Sequence, residues 1–145
     1  MKTEPDVFSI DDLKARKKTV WDGVRNYTAR NFLRDQFQPG DLAFIYHSSC
    51  PEPGIAGIAK VLKAGFPDPS AFDKKHQYFD PKSDPEAPRW YSAELGFQSK
   101  AKVLIPLPWL REHQKDLVMF KLNRLSVSPL TPEQWRRLAS LPGHW

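Results

Sequence analysis

The order in which helical and strand-like periodicities follow one another is the feature that most constrains the fold of this chain. Apolar residues recur at helical spacing in residues 10–15 and 27–37, and strand-like runs follow at residues 42–46 and 55–62. After an irregular stretch, a long alternating segment leads to a short helix, a strand and a last helix. Because helices and strands do not alternate as in a doubly wound fold, the pattern predicts an α+β class, a small barrel or sheet with peripheral helices.

Chain length and composition favour a single folded domain. A chain of 145 residues fits one domain with one sizeable core, and no break is visible at which two smaller cores could separate. The hydrophobic share of 40% is enough for folding, and fourteen prolines against seven glycines imply many extended or turn segments. We therefore predict one domain that spans residues 1–145.

Capping residues mark the expected helix starts. Ser9 stands three residues before Asp12, as in a capping box with aspartate in place of the usual glutamate. Asn26 is the N-cap candidate of a second helix, which should end before the Pro-Gly pair that follows it. Thr131 and Gln134 form another capping-box pattern and predict the start of the last helix.

Strand-like segments should supply the sheet. The runs at residues 42–46 and 55–62 are expected to pair, and Gly57 marks a bulge or a point where another group comes close to the backbone. A further strand is expected at residues 125–129. The segment before Pro5, in contrast, leaves almost no room for a strand.

The proline-rich stretch at residues 66–88 is long for a loop of a compact domain, and such loops are usually functional or mobile. It offers one short helical candidate, around residues 70–74. Trp90 and Tyr91 follow directly, and in a strand one of the two rings faces the core while the other faces water. A binding role requires only that one of them faces the same cavity as Trp21.

Charge and cysteine content restrict the partners. A formal net charge of +5 and an isoelectric point near 9.4 favour polyanions, and electrostatics alone would give weak, salt-sensitive contact with nucleic acid. The single cysteine, Cys50, rules out an intramolecular disulfide and a cysteine-rich zinc site. No secretory leader and no apolar run of membrane-spanning length is recognisable, so a reducing cytosolic compartment is the expectation.

Residues 19–31 contain the parts of a base-binding site. A nucleobase needs an aromatic face for stacking, polar groups for its edge and cations for its phosphate. The stretch offers two aromatic rings, two guanidinium groups and three planar polar side chains: Trp21, Tyr27, Arg25, Arg30, Asp22, Asn26 and Asn31. The alternative is that both rings are core anchors at a helix entry and both arginines are solvated. The residues alone leave both interpretations open.

Sequence patterns typical of catalysis or cofactor binding are missing. His47, Ser48 and Cys50 could suggest a base and a nucleophile, but adjacent strand residues point to opposite faces and no nucleophile-elbow motif surrounds them. The four histidines lack the spacing of a zinc site, and no glycine-rich phosphate loop follows a strand. We therefore predict no catalytic residue, no metal and no cofactor, and a role in a polar pocket for His47 and Ser48.

Seven segments of the chain together resemble the EVE domain family. The longest are a Lys-Thr-Glu-Pro segment at residues 2–13 and a Trp-Asp-Gly-Val-Arg-Asn segment at residues 21–33. Shorter ones lie at residues 44–48, 53–57, 80–82, 88–90 and 125–131, so the resemblance covers essentially the whole chain. Motifs of this length are highly specific.

The resemblance implies a PUA-like fold, a small mixed β-barrel ringed by helices and related to the ASCH and YTH domains. It also implies a pocket for a modified base, such as a modified cytosine in DNA or a modified base in RNA. The residues carried over by motif comprise Trp21, Asp22, Val24, Arg25, Asn26, Arg30 and Asn31, then Tyr46, His47 and Ser48. Thr3 and Glu4 would lie at the pocket edge, and Trp90 would form a wall.

These observations favour a non-enzymatic nucleic-acid reader that acts as a monomer, away from membranes. A nucleobase- or nucleoside-modifying enzyme and a protein-interaction module are the alternatives. Family members usually carry a short aromatic strand before the Lys-Thr-Glu-Pro segment, so the expectation is that this strand is trimmed or that the start is placed too late. Members with nuclear targeting carry a basic extension, and its absence here favours a free-standing bacterial-type protein in the cytoplasm.

Overall fold

The computed structural model describes residues 1–122 and 124–145 of the chain. In these parts, the elements follow in the order β1 (Lys2–Thr3), α1 (Ile10–Arg16), β2 (Lys18–Trp21), α2 (Tyr27–Asp35), β3 (Leu42–His47), β4 (Gly54–Pro67), β5 (Tyr91–Pro106), α3 (Leu107–His113), α4 (Val118–Lys121) and α5 (Pro132–Ala139). A short 3₁₀ helix, Pro69–Phe72, lies in the loop between β4 and β5. The predicted α+β class is confirmed.

The strands form one mixed sheet in the order β1-β3-β4-β5-β2, in which only β1 and β3 are parallel. The segment before Pro5 contributes the edge strand β1, although the sequence left almost no room for one. Its two residues suffice because Lys2 and Thr3 pair with Tyr46 and His47 at the end of β3. This pairing brings the chain start to the carboxyl end of β3.

The predicted capping residues start their helices. The Ser9 hydroxyl accepts a hydrogen bond from the Asp12 N–H at 3.1 Å, and the Asp12 carboxylate accepts one from the Ser9 N–H at 2.8 Å. The Asn26 side chain caps the first turn of α2, and Thr131 and Gln134 form a reciprocal capping box at α5. Each cap satisfies backbone donors that have no partner within the helix, so local sequence fixes these helix starts.

Two apolar clusters lie on opposite faces of the sheet. Ile45 of β3 packs with Leu13 of α1 and Leu33 of α2 in the first cluster. Its neighbours Phe44 and Tyr46 belong to the second cluster, together with core residues of α3 and α5. Successive side chains of a strand point to opposite faces, so the sheet separates the surface near α1 and α2 from the surface near α3 and α5.

The long strands β4 and β5 are bent by irregular pairing. Their register changes between Ile55 and Gly57 and at three further points. Bulges of this kind bend a strand and increase its twist, which curves the sheet. The close approach predicted at Gly57 is confirmed, because a Cβ atom there would lie 2.5 Å from Cδ1 of Ile10 and 2.6 Å from the carbonyl oxygen of Ser99.

The strand expected at residues 125–129 is wrong. These residues form no strand: one backbone hydrogen bond reaches β1, from the Lys2 N–H to the Ser126 carbonyl oxygen at 2.8 Å, and Leu125 and Val127 insert into the first apolar cluster. Alternating apolar residues report which side chains are buried, and burial does not require a hydrogen-bonded neighbour strand. The helical candidate around residues 70–74 is a single 3₁₀ turn that begins slightly earlier, at Pro69.

We expect Gly57→Ala to destabilise the protein by about 1–3 kcal/mol, the usual cost of inserting a methyl group into a packed interior. Urea unfolding of the variant measures this loss. Gly96→Ala is the matched control, because the nearest atoms to its Cβ would belong to the Leu62 side chain, at 3.2 Å or more. Equal losses in the two variants would contradict the role assigned to the α1 contact at Gly57.

Candidate nucleic-acid interface

A buried carboxylate joins the long loop between β4 and β5 to the segment before α2. Asp68 is fully buried, and its Oδ2 accepts hydrogen bonds from the Gly23 N–H at 2.9 Å and from Nη1 of Arg25 at 2.8 Å. Its Oδ1 accepts hydrogen bonds from the Ser70 N–H at 2.9 Å and from the Ser70 hydroxyl at 2.6 Å. Both carboxylate oxygens are therefore saturated by donors.

The Asp68 carboxylate is charged at neutral pH. Burial raises its pKa, but hydrogen bonds from Ser70, Arg25 and Gly23 stabilise the carboxylate by more, so its pKa lies below the ordinary value. The carboxylate forms an ion pair with Arg25, whose side chain is 23% exposed. The pair needs its surrounding donors, because removing two charges from water is otherwise unfavourable.

Arg25 is bound within the protein and is not a solvated side chain. Its Nη2 donates to the Tyr78 carbonyl oxygen at 2.5 Å and to the Ser70 hydroxyl at 3.3 Å, and its Nη1 donates to the Val24 carbonyl oxygen at 3.1 Å. The guanidinium carbon lies 5.7 Å from the ring centroid of Tyr78 and 5.3 Å from that of Trp90. Arg25 thereby holds the loop against α2.

Rings and guanidinium groups continue from Arg25 along the surface of α2. The rings of Trp90 and Tyr27 are stacked, with centroids 4.9 Å apart, and the Arg30 guanidinium lies 4.8 Å from the Tyr27 centroid. Arg30 Nη1 also donates to the Arg89 carbonyl oxygen at 2.7 Å. We call this row the ring–arginine strip, comprising Tyr78, Arg25, Trp90, Tyr27 and Arg30.

The two stacked rings of the strip differ in exposure. Trp90, which the sequence placed at a pocket wall, is only 7% exposed, and its Nε1 donates to the Asp80 carboxylate at 2.6 Å. Tyr27 is 53% exposed. Tyr27 is thus the ring of this strip that presents surface to a partner.

Trp21 lies in the first apolar cluster, only 9% exposed, and meets Phe8 edge to face with centroids 6.1 Å apart. Of the two interpretations left open by the sequence, this position matches the core anchor. A base that stacked on the face of Trp21 would require neighbouring side chains to move. A stacking role for Trp21 stays a prediction.

The adjacent Asp22 combines partial exposure with an electrostatic perturbation. Its side chain is 38% exposed, and Oδ2 lies 3.6 Å from Nε2 of His76 in the long loop. Burial and then the like charge of Asp68 raise the pKa of the Asp22 carboxyl, and nearby His76 partly offsets this. Asp22 thus presents a partly desolvated carboxyl group beside His76 of the long loop.

The other predicted residues of this segment support the backbone. Val24 is 5% exposed and packs in the first apolar cluster. Asn26 caps α2, and its Oδ1 accepts a hydrogen bond from the Ala29 N–H at 3.0 Å. The Asn31 side chain accepts a hydrogen bond from Nε of Arg30 at 2.9 Å. These contacts occupy the side-chain oxygens of Asn26 and Asn31, two of the polar groups that the sequence assigned to a base edge.

The residues predicted from the segments at residues 2–13 and 44–48 lie around the pairing of β1 with β3. The Thr3 hydroxyl donates to the Phe8 carbonyl oxygen at 2.7 Å, and the Ser48 N–H donates to the Thr3 carbonyl oxygen at 2.9 Å. Glu4 is exposed. Tyr46 and Ser48 both line a cavity on the face of the sheet near α3. The structure therefore distributes the predicted site over two places.

His47 is occupied by the start of α1. Its Nε2 accepts a hydrogen bond from the Ile10 N–H at 3.1 Å, so the imidazole is neutral with its proton on Nδ1. Burial lowers the pKa of His47, and nearby Lys100 lowers it further, whereas Asp11 has the opposite effect. The imidazole thus caps a helix that already carries a capping box.

Five residues that hold this site together were not predicted as site residues from the sequence. All lie in the long loop: Asp68, Ser70, His76, Tyr78 and Asp80. Asp68 and Asp80 each precede a proline, and each accepts a hydrogen bond from the backbone N–H two residues later. Asp-Pro sequences favour such turns, so the two carboxylates carried a readable local pattern. Their side-chain partners, Arg25 for Asp68 and Trp90 for Asp80, are 43 and 10 residues away in sequence, outside the local turn pattern.

Within residues 1–122 and 124–145, no group of three or more His, Cys, Asp or Glu side chains is placed to hold a metal ion. None of the described helices is both long and apolar enough to cross a membrane.

Comparison with known proteins relates this geometry to a family. The chain matches a family model described as EVE domain over residues 1–141. Human thymocyte nuclear protein 1 is 43% identical, in a match that covers 97% of this chain and 72% of the human protein. The resemblance inferred from the motifs is confirmed.

Solved structures share the fold along nearly the whole chain. A crystal structure of a protein from Pseudomonas syringae has a TM-score of 0.91 at 48% identity and covers 97% of this chain and 95% of its own. A crystal structure of human THYN1 protein in complex with DNA containing 5-methylcytosine has a TM-score of 0.91 at 43% identity and covers 97% and 94%. These matches confirm the α+β, PUA-like fold.

We expect Asp68→Asn to lower the free energy of unfolding at neutral pH by about 3 kcal/mol, the low end for breaking a buried pair, because Arg25 keeps some exposure. The folded-state pKa of Asp68 is depressed, so its stabilisation is present above the ordinary carboxyl pKa and is lost as the pH falls through the folded value. The difference between wild type and variant should shrink accordingly in acid, as measured by urea unfolding.

The matched control for this prediction is Asp35→Asn. Asp35 pairs with Arg34 at 2.7 Å, but its side chain is 52% exposed, so solvent screens the pair. We expect a much smaller loss of stability there. A similar loss in the two variants would show that burial does not strengthen the Asp68 pair.

We expect Trp21→Ala to lower the free energy of unfolding by about 3–5 kcal/mol, because it empties a core position. Tyr27→Ala serves as the control, since Tyr27 is 53% exposed and should lose far less. Chemical denaturation of both variants gives the comparison. A Trp21→Ala protein as stable as wild type would show that the ring does not support the core.

Proposed function

Because the chain belongs to the EVE domain family, we propose that it is a non-enzymatic reader that binds a modified nucleobase in nucleic acid, with 5-methylcytosine in DNA as the ligand. The proposal is carried by one observation. The human THYN1 protein, solved in complex with DNA containing 5-methylcytosine, superposes on this chain with a TM-score of 0.91 at 43% identity. The match covers 97% of this chain, so nearly all of its backbone has the same fold as the human protein.

Asp22 is the residue we assign to the base edge. A carboxylate accepts a hydrogen bond from the exocyclic amine of cytosine, and thymine presents a carbonyl oxygen at the same position. The Asp22 side chain is 38% exposed, directly follows Trp21, and lies in a segment whose backbone is fixed by Asp68 at Gly23. A fixed backbone keeps the carboxylate positioned before the ligand arrives.

The ring–arginine strip is the surface we assign to nucleotides beside the recognised base. Tyr27 offers a ring that is 53% exposed, and stacking on aromatic rings is tolerant of base identity. Arg30 lies against that ring and provides a cation beside it, where a phosphate of a stacked nucleotide would lie. The formal net charge of +5 favours the same kind of partner.

The contacts of His47 support a reader over a nucleobase-modifying enzyme. A general base needs a free nitrogen lone pair within reach of the substrate proton. In His47 that lone pair already accepts the Ile10 N–H at 3.1 Å. His47, which the sequence offered as a candidate base, therefore caps the start of α1.

We expect an oligonucleotide with a single 5-methylcytosine to bind about fourfold more tightly than the same oligonucleotide with cytosine, because burying one methyl group contributes about 0.8 kcal/mol. Fluorescence anisotropy with labelled single strands and duplexes measures both affinities. Equal affinity for the two bases would refute recognition of the methyl group.

In the same assay, we expect Asp22→Asn to weaken binding of the methylated strand by about tenfold, since a base-edge contact contributes about 1–3 kcal/mol. Replacing the exposed Asp6 in the same way changes the net charge equally and serves as the control. If both variants bind alike, Asp22 acts only through the overall charge.

A further inference from the structure

A cavity of about 600 Å³ lies on the other face of the sheet, between the end of β3 and α3. Tyr46 and Ser48 line it from β3 and the loop that follows, Arg111 of α3 and Lys115 line the opposite side, and Lys2 contributes from β1. We call this cavity the basic pocket. Its volume is typical of sites for small molecules.

The described lining of the basic pocket carries positive charge and no negative charge. Three of its lining residues are basic, namely Lys2, Arg111 and Lys115, and none of the lining residues that the structure describes is acidic. The side chains of Arg111 and Lys115 form no ion pair and no hydrogen bond with any residue in the described parts of the chain. Arg111 and Lys115 thus bring two cations without a described counter-charge to one cavity, so an anion that enters would be stabilised by both.

Hydroxyl groups and a strained backbone lie beside these cations. Ser49 lines the pocket and has a φ of 52°, a left-handed conformation that residues other than glycine rarely adopt. The turn is held on its other side by the bond between the Ser48 N–H and the Thr3 carbonyl oxygen. Strain of this kind persists only where surrounding contacts enforce it, and it clusters at binding sites.

The remaining walls fit an organic body attached to the anion. Met119 and Phe120 border the pocket, and Tyr46 at its inner side is only 6% exposed. Arg111 lies near enough to act electrostatically on the Tyr46 hydroxyl. Aromatic and thioether walls beside a guanidinium group suit a ring that carries a phosphate, because arginine binds phosphate oxygens in a bidentate manner.

We propose that the basic pocket binds the phosphate of a nucleotide, as a second site separate from the base-recognition surface. Two sources share this chemistry. The phosphate belongs either to a phosphodiester of the nucleic acid held by the protein, or to a free mononucleotide. The pocket includes neither Asp22 nor any residue of the ring–arginine strip. Its test therefore does not depend on discrimination between methylated and unmethylated cytosine.

The first arm of the test uses calorimetric titration of the full chain with cytidine 5′-monophosphate and with cytidine. We expect the monophosphate to bind and cytidine to bind at least about tenfold more weakly, since hydrogen bonds to charged groups contribute to this extent. Arg111→Gln with Lys115→Gln should weaken the monophosphate by about tenfold or more. Arg136→Gln with Lys102→Gln removes two exposed charges outside the pocket and should leave binding unchanged.

The second arm measures the salt dependence of binding to a single-stranded oligonucleotide. If a phosphodiester occupies the pocket, the double pocket variant should lower the slope of log affinity against log salt by about 1.4, or about 0.7 for each lost contact. A lower slope without monophosphate binding assigns the pocket to nucleic acid, and weakened monophosphate binding with an unchanged slope assigns it to a free mononucleotide. If pocket and control variants behave alike in both arms, the proposal is overturned.

The two proposals fail separately. Recognition of the methyl group is refuted by equal affinity for methylated and unmethylated strands, whatever the pocket variants do. The basic pocket is refuted by unchanged monophosphate binding and an unchanged salt slope, even in a protein that prefers the methylated strand. Thermal unfolding of the pocket variants completes the design, because Arg111 and Lys115 are exposed and their replacement should leave the melting temperature near that of wild type.

Discussion

The contact between Asp68 and Arg25 is the interaction on which the candidate interface depends. A fully buried carboxylate and a mostly buried guanidinium are separated by 2.8 Å, and each is saturated by further hydrogen bonds to Gly23, Ser70 and Tyr78. Without these partners, burial of either charge would oppose folding. Because both charges have these partners, the long loop is fixed against the segment before α2, and its irregular backbone forms a defined surface.

The sheet then separates two surfaces with different properties. On the side of α1 and α2, the loop contacts order rings and guanidinium groups into a strip that includes the exposed ring of Tyr27. On the side of α3, basic residues line a cavity, and none of its lining residues that the structure describes is acidic. Adjacent residues of β3 reach both sides, since His47 contacts α1 while Tyr46 lines the cavity. Alternation along one strand therefore places neighbouring residues on the two faces of the sheet.

Much of the fold could be predicted because its information is local. Ser9, Asn26 and Thr131 start helices through hydrogen bonds within their own first turns, so a short window of sequence contains both partners. Prediction failed at residues 125–129, where the alternation of apolar side chains reflects burial in the core and a single backbone hydrogen bond to β1 does not make a strand. The candidate site was harder to predict. A stretch rich in aromatic and basic residues looks the same in sequence whether its side chains pack in the core, hold a loop in place or bind a partner.

By itself, the sequence determined the fold class, the helix starts, the family and the chemical character of the residues before α2. Only the tertiary structure decided which of those residues remain available to a partner. Trp21 packs against Phe8, and Arg25 is held by Asp68, whereas Asp22 and Tyr27 keep exposed surface. The physical reason is that exposure and pairing depend on groups brought from the distant loop between β4 and β5, and no local pattern before α2 records where that loop will lie.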